Sequence, residues 1–99
     1  MLLMIYGYTR TSTHKQNIER QHRNILAKYP TAKLYSDVFT GSTLRRPEWE
    51  KLLKRLKSGD AIVFDSVSRM SRDAAEGFAM YKRLYEQGIT LVFFERTAY

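Results

Sequence analysis

The residue types best suited to chemistry in this sequence are one serine and several arginines, which lie in three short segments. Ser12 stands two residues after Arg10 in the first segment. Arg46 lies in the second segment, and Arg69 and Arg72 lie in the third. A serine hydroxyl can attack a phosphodiester, and planar guanidinium groups bind phosphate oxygens in two-point contacts and neutralise their charge. This combination indicates phosphoryl transfer on a nucleic acid.

The elements that must position these segments alternate between strands and helices. Short apolar runs predict strands at residues 2–8, 34–39, 61–64 and 89–94, and helical periodicity predicts helices at 14–29, 47–57 and 73–87. This order predicts a single α/β domain over residues 1–99, with a mainly parallel sheet of four to five strands and helices on both faces. Ligands of such sheets bind beyond the carboxyl ends of the strands. Because each polar segment follows a strand, we expect the three segments to meet at one edge.

Helical spacing also predicts which side chains face the core. Pro47 suits the first position of the second helix, where its missing N–H costs nothing. We read the aromatic residues as mostly core packing rather than base-stacking surfaces. The expected inward residues are Ile18, Ile25, Leu26 and Tyr29 in the first helix, Trp49, Leu52, Leu53 and Leu56 in the second, and Phe78, Tyr81, Leu84 and Tyr85 in the third.

Charge and composition narrow the class of protein. Lys and Arg outnumber Asp and Glu by 17 to 10, giving a net charge of +7, which favours a polyanionic partner. The absence of cysteine excludes disulfides and thiolate metal sites and fits a reducing cytoplasm. His14 and His22 are accompanied by no other histidine and no cysteine, so no zinc site is expected. No apolar run approaches the ~20 residues of a membrane span, so no membrane partner is expected.

Each of these residues also has a simpler structural interpretation. Ser12 precedes a helix and is suited to capping it, although Thr13 begins a capping-box pattern and would leave Ser12 available. Arg46 follows another arginine, and such pairs are commonly solvated. Arg69 and Arg72 are spaced to pair with nearby acids in surface salt bridges, which contribute little stability.

Taken together, the three segments resemble the signature segments of the serine recombinases, the resolvase/invertase family. The resemblance runs from about residue 3 to residue 94, with the segments in the family's order and spacing. The matching residues are Tyr8-Thr9-Arg10-Thr11-Ser12-Thr13 with Gln16, then Gly41-Ser42 and Arg46-Pro47, then Ser68-Arg69-Met70-Ser71-Arg72-Asp73.

The resemblance implies a reaction and a set of roles. Ser12 would attack the scissile phosphate of double-stranded DNA, form a covalent 5′-phosphoserine intermediate and release a 3′-hydroxyl, and strand exchange and religation would follow. Neither a metal nor another cofactor is implied. The active assembly would be a homo-oligomer, dimeric and then tetrameric across two DNA sites, in the cytoplasm of a prokaryote and associated with its nucleoid or a mobile element. The implied phosphate-binding arginines are Arg10, Arg46, Arg69 and Arg72, with Gln16 and Gln21 in support.

Two departures from the family pattern qualify this interpretation. Ser68 stands where an aspartate is common, so a carboxylate role there would fall to Asp65 or Asp73. The resemblance also implies a longer protein, of which this chain is the catalytic core without the dimerisation helix and the DNA-binding region. Two alternatives remain: a non-catalytic DNA- or phosphate-binding module with the same fold, and a metal-dependent nuclease or phosphatase on a similar sheet.

Overall fold

A computed structural model describes residues 4–11, 15–38, 46–66 and 74–95. The described segments alternate between strands and helices as the sequence predicts. No helix among them has the length and apolar character of a membrane span. The elements are β1 (Ile5–Thr11), α1 (Lys15–Lys28), β2 (Lys33–Val38), α2 (Pro47–Arg55), β3 (Ala61–Ser66), α3 (Ala74–Glu86) and β4 (Thr90–Glu95).

The described strands form one sheet in which every neighbouring pair is parallel, in the spatial order β2-β1-β3-β4. β1 pairs with β2 as far as Thr11, three residues beyond the strand end predicted at Tyr8. Its pairing with β3 stops earlier, at Tyr8 and Phe64, whereas β3 remains paired with β4 as far as Ser66. β1 therefore separates from β3 near the carboxyl edge, where the polar segments begin.

An aromatic core fills the face of the sheet covered by α2 and α3. The ring of Tyr8 lies 4.8 Å from that of Trp49 and 6.2 Å from that of Phe64. Phe64 in turn stacks on Phe93 at 4.9 Å between ring centroids. Leu84 of α3 joins the same cluster. Aromatic pairs at these distances stabilise a core beyond the area they bury, so β1, β3 and α2 are held firmly together.

Helix α1 covers the opposite face and approaches β1 closely. A Cβ atom at Gly7 would lie 2.7 Å from Leu34 Cδ2 and 3.0 Å from Ile25 Cγ2, closer than side chains tolerate. Glycine therefore lets the helix pack directly on the strand. Because successive residues of a strand point to opposite faces, Gly7 faces α1 while Tyr8 faces the aromatic core. Helices on both faces confirm the predicted architecture.

The predicted inward face of α3 is wrong in part. Leu84 is buried, but Phe78 and Tyr85 are 69% and 67% exposed. The buried side is formed instead by Gly77 and Leu84, with Met80 partly buried between them. These positions are spaced i, i+3, i+7, which places them on one helical stripe. Gly77 has no side chain, so a search for large apolar residues at helical spacing does not identify it as part of the buried stripe. Such spacing instead predicts that the neighbouring aromatic residues face inward.

The inward faces of α1 and α2 are largely confirmed. Ile25 is fully buried, whereas Leu26 is 37% exposed and was wrongly assigned to the core. Tyr81 of α3 is 39% exposed, yet its ring stacks on Phe93 at 6.2 Å, so it lies at the boundary of the core. The α2 residues follow their predicted pattern, with Trp49 and Leu52 buried and Leu53 and Leu56 packed against the cluster.

Candidate active site at the carboxyl edge

Two of the predicted phosphate-binding arginines lie at the carboxyl edge, on the face covered by α2. Arg10 is the penultimate residue of β1 and is opposite Asp37 of β2 in the strand register. Opposite residues of neighbouring strands project to the same face. Asp37 contacts the first turn of α2, and Arg46 immediately precedes that helix. The fold thus brings Arg10 and Arg46 to the same end and face of the sheet.

The guanidinium of Arg46 is held by two aromatic rings. Its Cζ atom lies 5.1 Å from the centroid of Tyr8 and 4.8 Å from that of Trp49. Its Nε also donates a hydrogen bond to Tyr8 Oη at 3.2 Å. A cation at these distances is attracted by the negative face of each ring, by about 0.5–2 kcal/mol depending on its exposure. The charge of Arg46 is therefore positioned before any ligand arrives.

A buried carboxylate, Asp37, fixes the elements around Arg46. Its Oδ1 accepts the backbone N–H of Glu48, and its Oδ2 accepts that of Trp49, both at 3.0 Å. Oδ2 also accepts the hydroxyl of Tyr8 at 2.7 Å. Because Arg46 at the N-cap makes no side-chain capping bond, Asp37 supplies this function from the neighbouring strand and satisfies two N–H groups of the first helical turn.

Tyr8 links the aspartate to the arginine as a neutral phenol. Burial raises the pKa of Tyr8, the Arg46 cation acts against this shift, and the hydrogen bond to Asp37 adds to it. The net shift of the pKa is upward, so Tyr8 keeps its proton at neutral pH, and its hydroxyl donates a hydrogen bond to Asp37. The sequence places Tyr8 in the core and in the first family-like segment, but it indicates neither the bond from Tyr8 to Asp37 nor the role of Asp37. The available signal was weak: a single aspartate within the strand predicted at residues 34–39.

Gln21 of α1 supports Arg10 through the main chain. Its Oε1 accepts the Arg10 N–H at 3.1 Å, and its Nε2 donates to the Arg10 C=O at 3.2 Å. The side chain is fully buried. These bonds form beyond Tyr8, where β1 no longer pairs with β3, so the amide stands in for the missing strand partner. We call this pair of contacts the Gln21 bracket.

Asp65 projects to the other face of the sheet. Its Oδ1 accepts a hydrogen bond from Asn24 of α1 at 3.2 Å, and the residue is 8% exposed. The preceding residue, Phe64, faces the aromatic core beside Trp49. Asp65 is therefore on the α1 side, whereas Arg46 is on the α2 side. Asp65, one of the two carboxylates suggested in place of the family aspartate, thus does not share a face with that arginine.

The remaining predicted site residues lie outside the described part of the chain. The side chain of Gln16 belongs to this group, although its backbone forms part of α1. Within the described segments, no three His, Cys, Asp or Glu residues are close enough to hold a metal ion. The residues whose placement is not described are Ser12, Gly41, Ser42, Ser68, Arg69, Arg72 and Asp73.

Comparison with known proteins places the chain in a family. Residues 5–99 match the family described as Resolvase, N terminal domain. The Tn552 resolvase of Staphylococcus aureus is 33% identical over 87 residues, covering 88% of this chain and 44% of that protein. The Tn917 resolvase of Enterococcus faecalis is 38% identical over 69 residues, covering 70% and 37%. The Tn552 DNA-invertase BinR of Staphylococcus aureus is 31% identical over 87 residues, covering 88% and 45%.

The chain thus spans about half the length of the curated relatives that it matches. The match nevertheless includes nearly the whole chain, and it accords with the parallel sheet and with the arginines at its carboxyl edge. The chain belongs to the resolvase N-terminal domain family of serine recombinases.

Proposed function

We propose that this chain is the catalytic domain of a site-specific DNA recombinase that cleaves double-stranded DNA through Ser12. The hydroxyl oxygen of Ser12 attacks the scissile phosphorus and loses its proton, and a 5′-phosphoserine bond forms. The bond to the 3′ oxygen of the neighbouring nucleotide breaks, and that oxygen takes up a proton to become the 3′-hydroxyl. Religation reverses these steps on an exchanged strand. The observation that carries the proposal is the position of Arg46, whose charge is held by Tyr8, Trp49 and the Asp37 network at the edge where Arg10 also lies.

The physical argument concerns charge that develops on the phosphate during attack. Catalysis of phosphoryl transfer depends mainly on positioning and on electrostatic stabilisation of the equatorial oxygens. A cation fixed in advance needs no reorganisation at the moment of reaction. Arg46 meets this requirement through its ring contacts. For Arg10, the Gln21 bracket fixes the main chain from which the guanidinium extends. We assign phosphate binding to these two residues and, by family resemblance, to Arg69 and Arg72.

The partners follow from the same proposal. Double-stranded DNA is the substrate, and a homo-oligomer that is tetrameric when active brings two DNA sites together. The net charge of +7 supports a polyanionic partner. Family membership supports recombination in particular, since the relatives named above are resolvases and an invertase.

Trapping of the covalent intermediate tests the proposed function. Full-length protein containing this chain is incubated with plasmid carrying its candidate site, quenched with detergent and assayed for protein attached to DNA, with and without chelator. We expect a chelator-resistant adduct at the 5′ end that Ser12→Ala abolishes while DNA binding persists. Ser58→Ala, at an exposed turn residue, is the matched control and should leave the adduct intact.

Two outcomes would contradict the proposal. An adduct that persists in Ser12→Ala would assign the nucleophile to another residue. Intact DNA binding by the wild-type protein with no adduct would favour a non-catalytic DNA-binding module on the same fold.

A further inference from the structure

A pocket opens at the amino edge of the sheet, the edge opposite to the one that carries Arg10 and Arg46. It is formed by residues from the start of β1, from the last turn of α2 and from the turn before β3. Its volume of about 430 Å³ is that of a site for a small molecule. We call it the amino-edge pocket, and the residues that line it are Met4, Tyr6, Lys54, Arg55, Lys57 and Asp60.

The deepest charged group of this pocket is a carboxylate with one unpartnered oxygen. Asp60 is only 2% exposed. Its Oδ2 accepts the backbone N–H of Lys57 at 2.9 Å, which closes the turn before β3. Its Oδ1 is buried and accepts no hydrogen bond from the described part of the chain. Buried carboxylate oxygens normally have a donor, so Oδ1 is suited to accept a hydrogen bond from a ligand.

Tyr6 lines the pocket together with Asp60 and adds a hydroxyl group to it. A tyrosine hydroxyl is neutral at ordinary pH, and it can both donate and accept a hydrogen bond. One end of the pocket therefore combines a carboxylate acceptor with a phenol. This pair is suited to the hydroxyl groups of a polyol, which also donate and accept.

The other end of the pocket is cationic. Lys54, Arg55 and Lys57 are all exposed, and Asp60 is the sole acid among the described residues that line the pocket. The dipole of α2 favours Lys54 and Arg55 in its last turn, but Lys57 lies beyond the helix. Three cations around one opening suit a phosphate, which carries up to two negative charges and several acceptor oxygens.

The two ends together restrict the ligand. Phosphate alone would bind the three cations but would leave Asp60 Oδ1 without a donor. An ammonium group could donate to Oδ1, but the three cations would repel it. A hydroxyl group donates without adding charge, so it satisfies Oδ1 at no electrostatic cost. The ligand that fits both ends carries a phosphate and neighbouring hydroxyl groups.

We propose that the amino-edge pocket binds a small sugar phosphate. Its phosphate contacts Lys54, Arg55 and Lys57, one sugar hydroxyl donates to Asp60 Oδ1, and another bonds to the hydroxyl of Tyr6. The exposed cationic side chains turn toward the phosphate as the ligand enters, which opens the way to Oδ1. This site lies at the opposite edge from the candidate active site, and the proposal does not depend on the function proposed above.

Isothermal titration calorimetry of the full-length protein containing this chain tests the proposal. The probes are ribose 5-phosphate, ribose and inorganic phosphate. We expect ribose 5-phosphate to bind about tenfold or more tightly than inorganic phosphate, because a hydrogen bond to the charged Asp60 is added, and ribose alone to bind more weakly than either. Equal affinities for ribose 5-phosphate and inorganic phosphate, or no binding of ribose 5-phosphate, would overturn the proposal.

Variants assign the binding to this pocket. Asp60→Asn keeps an oxygen for the Lys57 N–H but replaces the unpartnered acceptor by a donor. It should weaken the binding of ribose 5-phosphate about tenfold and leave that of inorganic phosphate no weaker. Lys54→Gln, on the exposed side of α2, should weaken both and is informative even if Asp60→Asn does not fold. Lys82→Gln, at an exposed position of α3, is the matched control and should bind like the wild type. Wild-type affinity in Lys54→Gln would place the ligand elsewhere and overturn the proposal.

A competition experiment separates a free sugar phosphate from the sugar-phosphate backbone of a nucleic acid. A short DNA duplex is added to the complex with ribose 5-phosphate at an equal concentration of phosphate groups. We expect the sugar phosphate to stay bound, because the pocket has the volume of a small ligand. Its displacement by the duplex in the wild type would assign these cations to DNA and overturn the proposal.

Discussion

The Gln21 bracket makes the sharpest stability prediction, because both polar ends of one buried side chain bond to one main-chain residue. We consider Gln21→Met, which keeps the length and approximate volume of the side chain but removes its donor and acceptor. In the wild type, Oε1 accepts the Arg10 N–H and Nε2 donates to the Arg10 C=O. β3 has separated from β1 at this point, so its backbone does not replace either bond.

The expected cost follows from what the substitution leaves behind. Each lost hydrogen bond contributes a net ~1 kcal/mol, but a buried group left unsatisfied costs about 1–3 kcal/mol. Two such groups at Arg10 give a loss of about 2–6 kcal/mol in the free energy of unfolding. A methionine adapts to the same space, so little packing energy is lost. Small domains have only about 5–15 kcal/mol of stability in total, which makes the effect large.

Urea denaturation followed by circular dichroism measures this loss. We expect a lower midpoint for Gln21→Met with an unchanged m-value, and a melting temperature lower by about 4–8 °C for each kcal/mol lost. Gln87→Met, at an exposed position just after α3, is the matched control and should change stability by about 0.5 kcal/mol or less. If Gln21→Met is no more destabilised than the control, the bracket does not support β1, and the argument is refuted.

Two further predictions concern the packing of α1 and the charge at the carboxyl edge. Gly7→Ala should lower the urea midpoint by the equivalent of about 1–3 kcal/mol, because the added methyl would meet Leu34 and Ile25; an unchanged midpoint would mean that α1 can move away at no cost. Arg46→Ala should slow single-turnover adduct formation by about 10²–10³-fold, whereas Arg55→Ala, at the other end of α2, should change it only a few-fold. Equal losses in both arginine variants would assign the effect to net charge rather than to position.

Sequence patterns were most informative about features that depend on residues close together in the chain. The apolar runs predicted all of the described strands, and Pro47 correctly marked the start of α2. Parallel topology then placed Arg10 and Arg46 at the same edge, as expected for polar segments that follow neighbouring strands. The role of Ser12 as a nucleophile stays a prediction, because that residue lies outside the described segments.

Long-range contacts account for what the sequence analysis missed. Asp37 looks unremarkable within its strand, yet it bonds to a tyrosine 29 positions away and to the first turn of α2. The family resemblance predicts a supporting role for Gln21, but its two bonds to the Arg10 main chain, where β1 has separated from β3, depend on the tertiary structure. Phe78 fits a core pattern, but it is exposed because Gly77 and Leu84 define the stripe that α3 buries.

The sequence alone therefore determined the chemical inventory and the order of elements, since residue type and local periodicity depend on neighbours along the chain. Only the tertiary structure decided how the candidate site is supported: Tyr8 and Trp49 hold Arg46, Asp37 caps α2 from another element, and α1 secures the end of β1. The physical reason is that these hydrogen bonds and ring contacts form between atoms of different elements. The residue pattern along one element does not specify its partners on another.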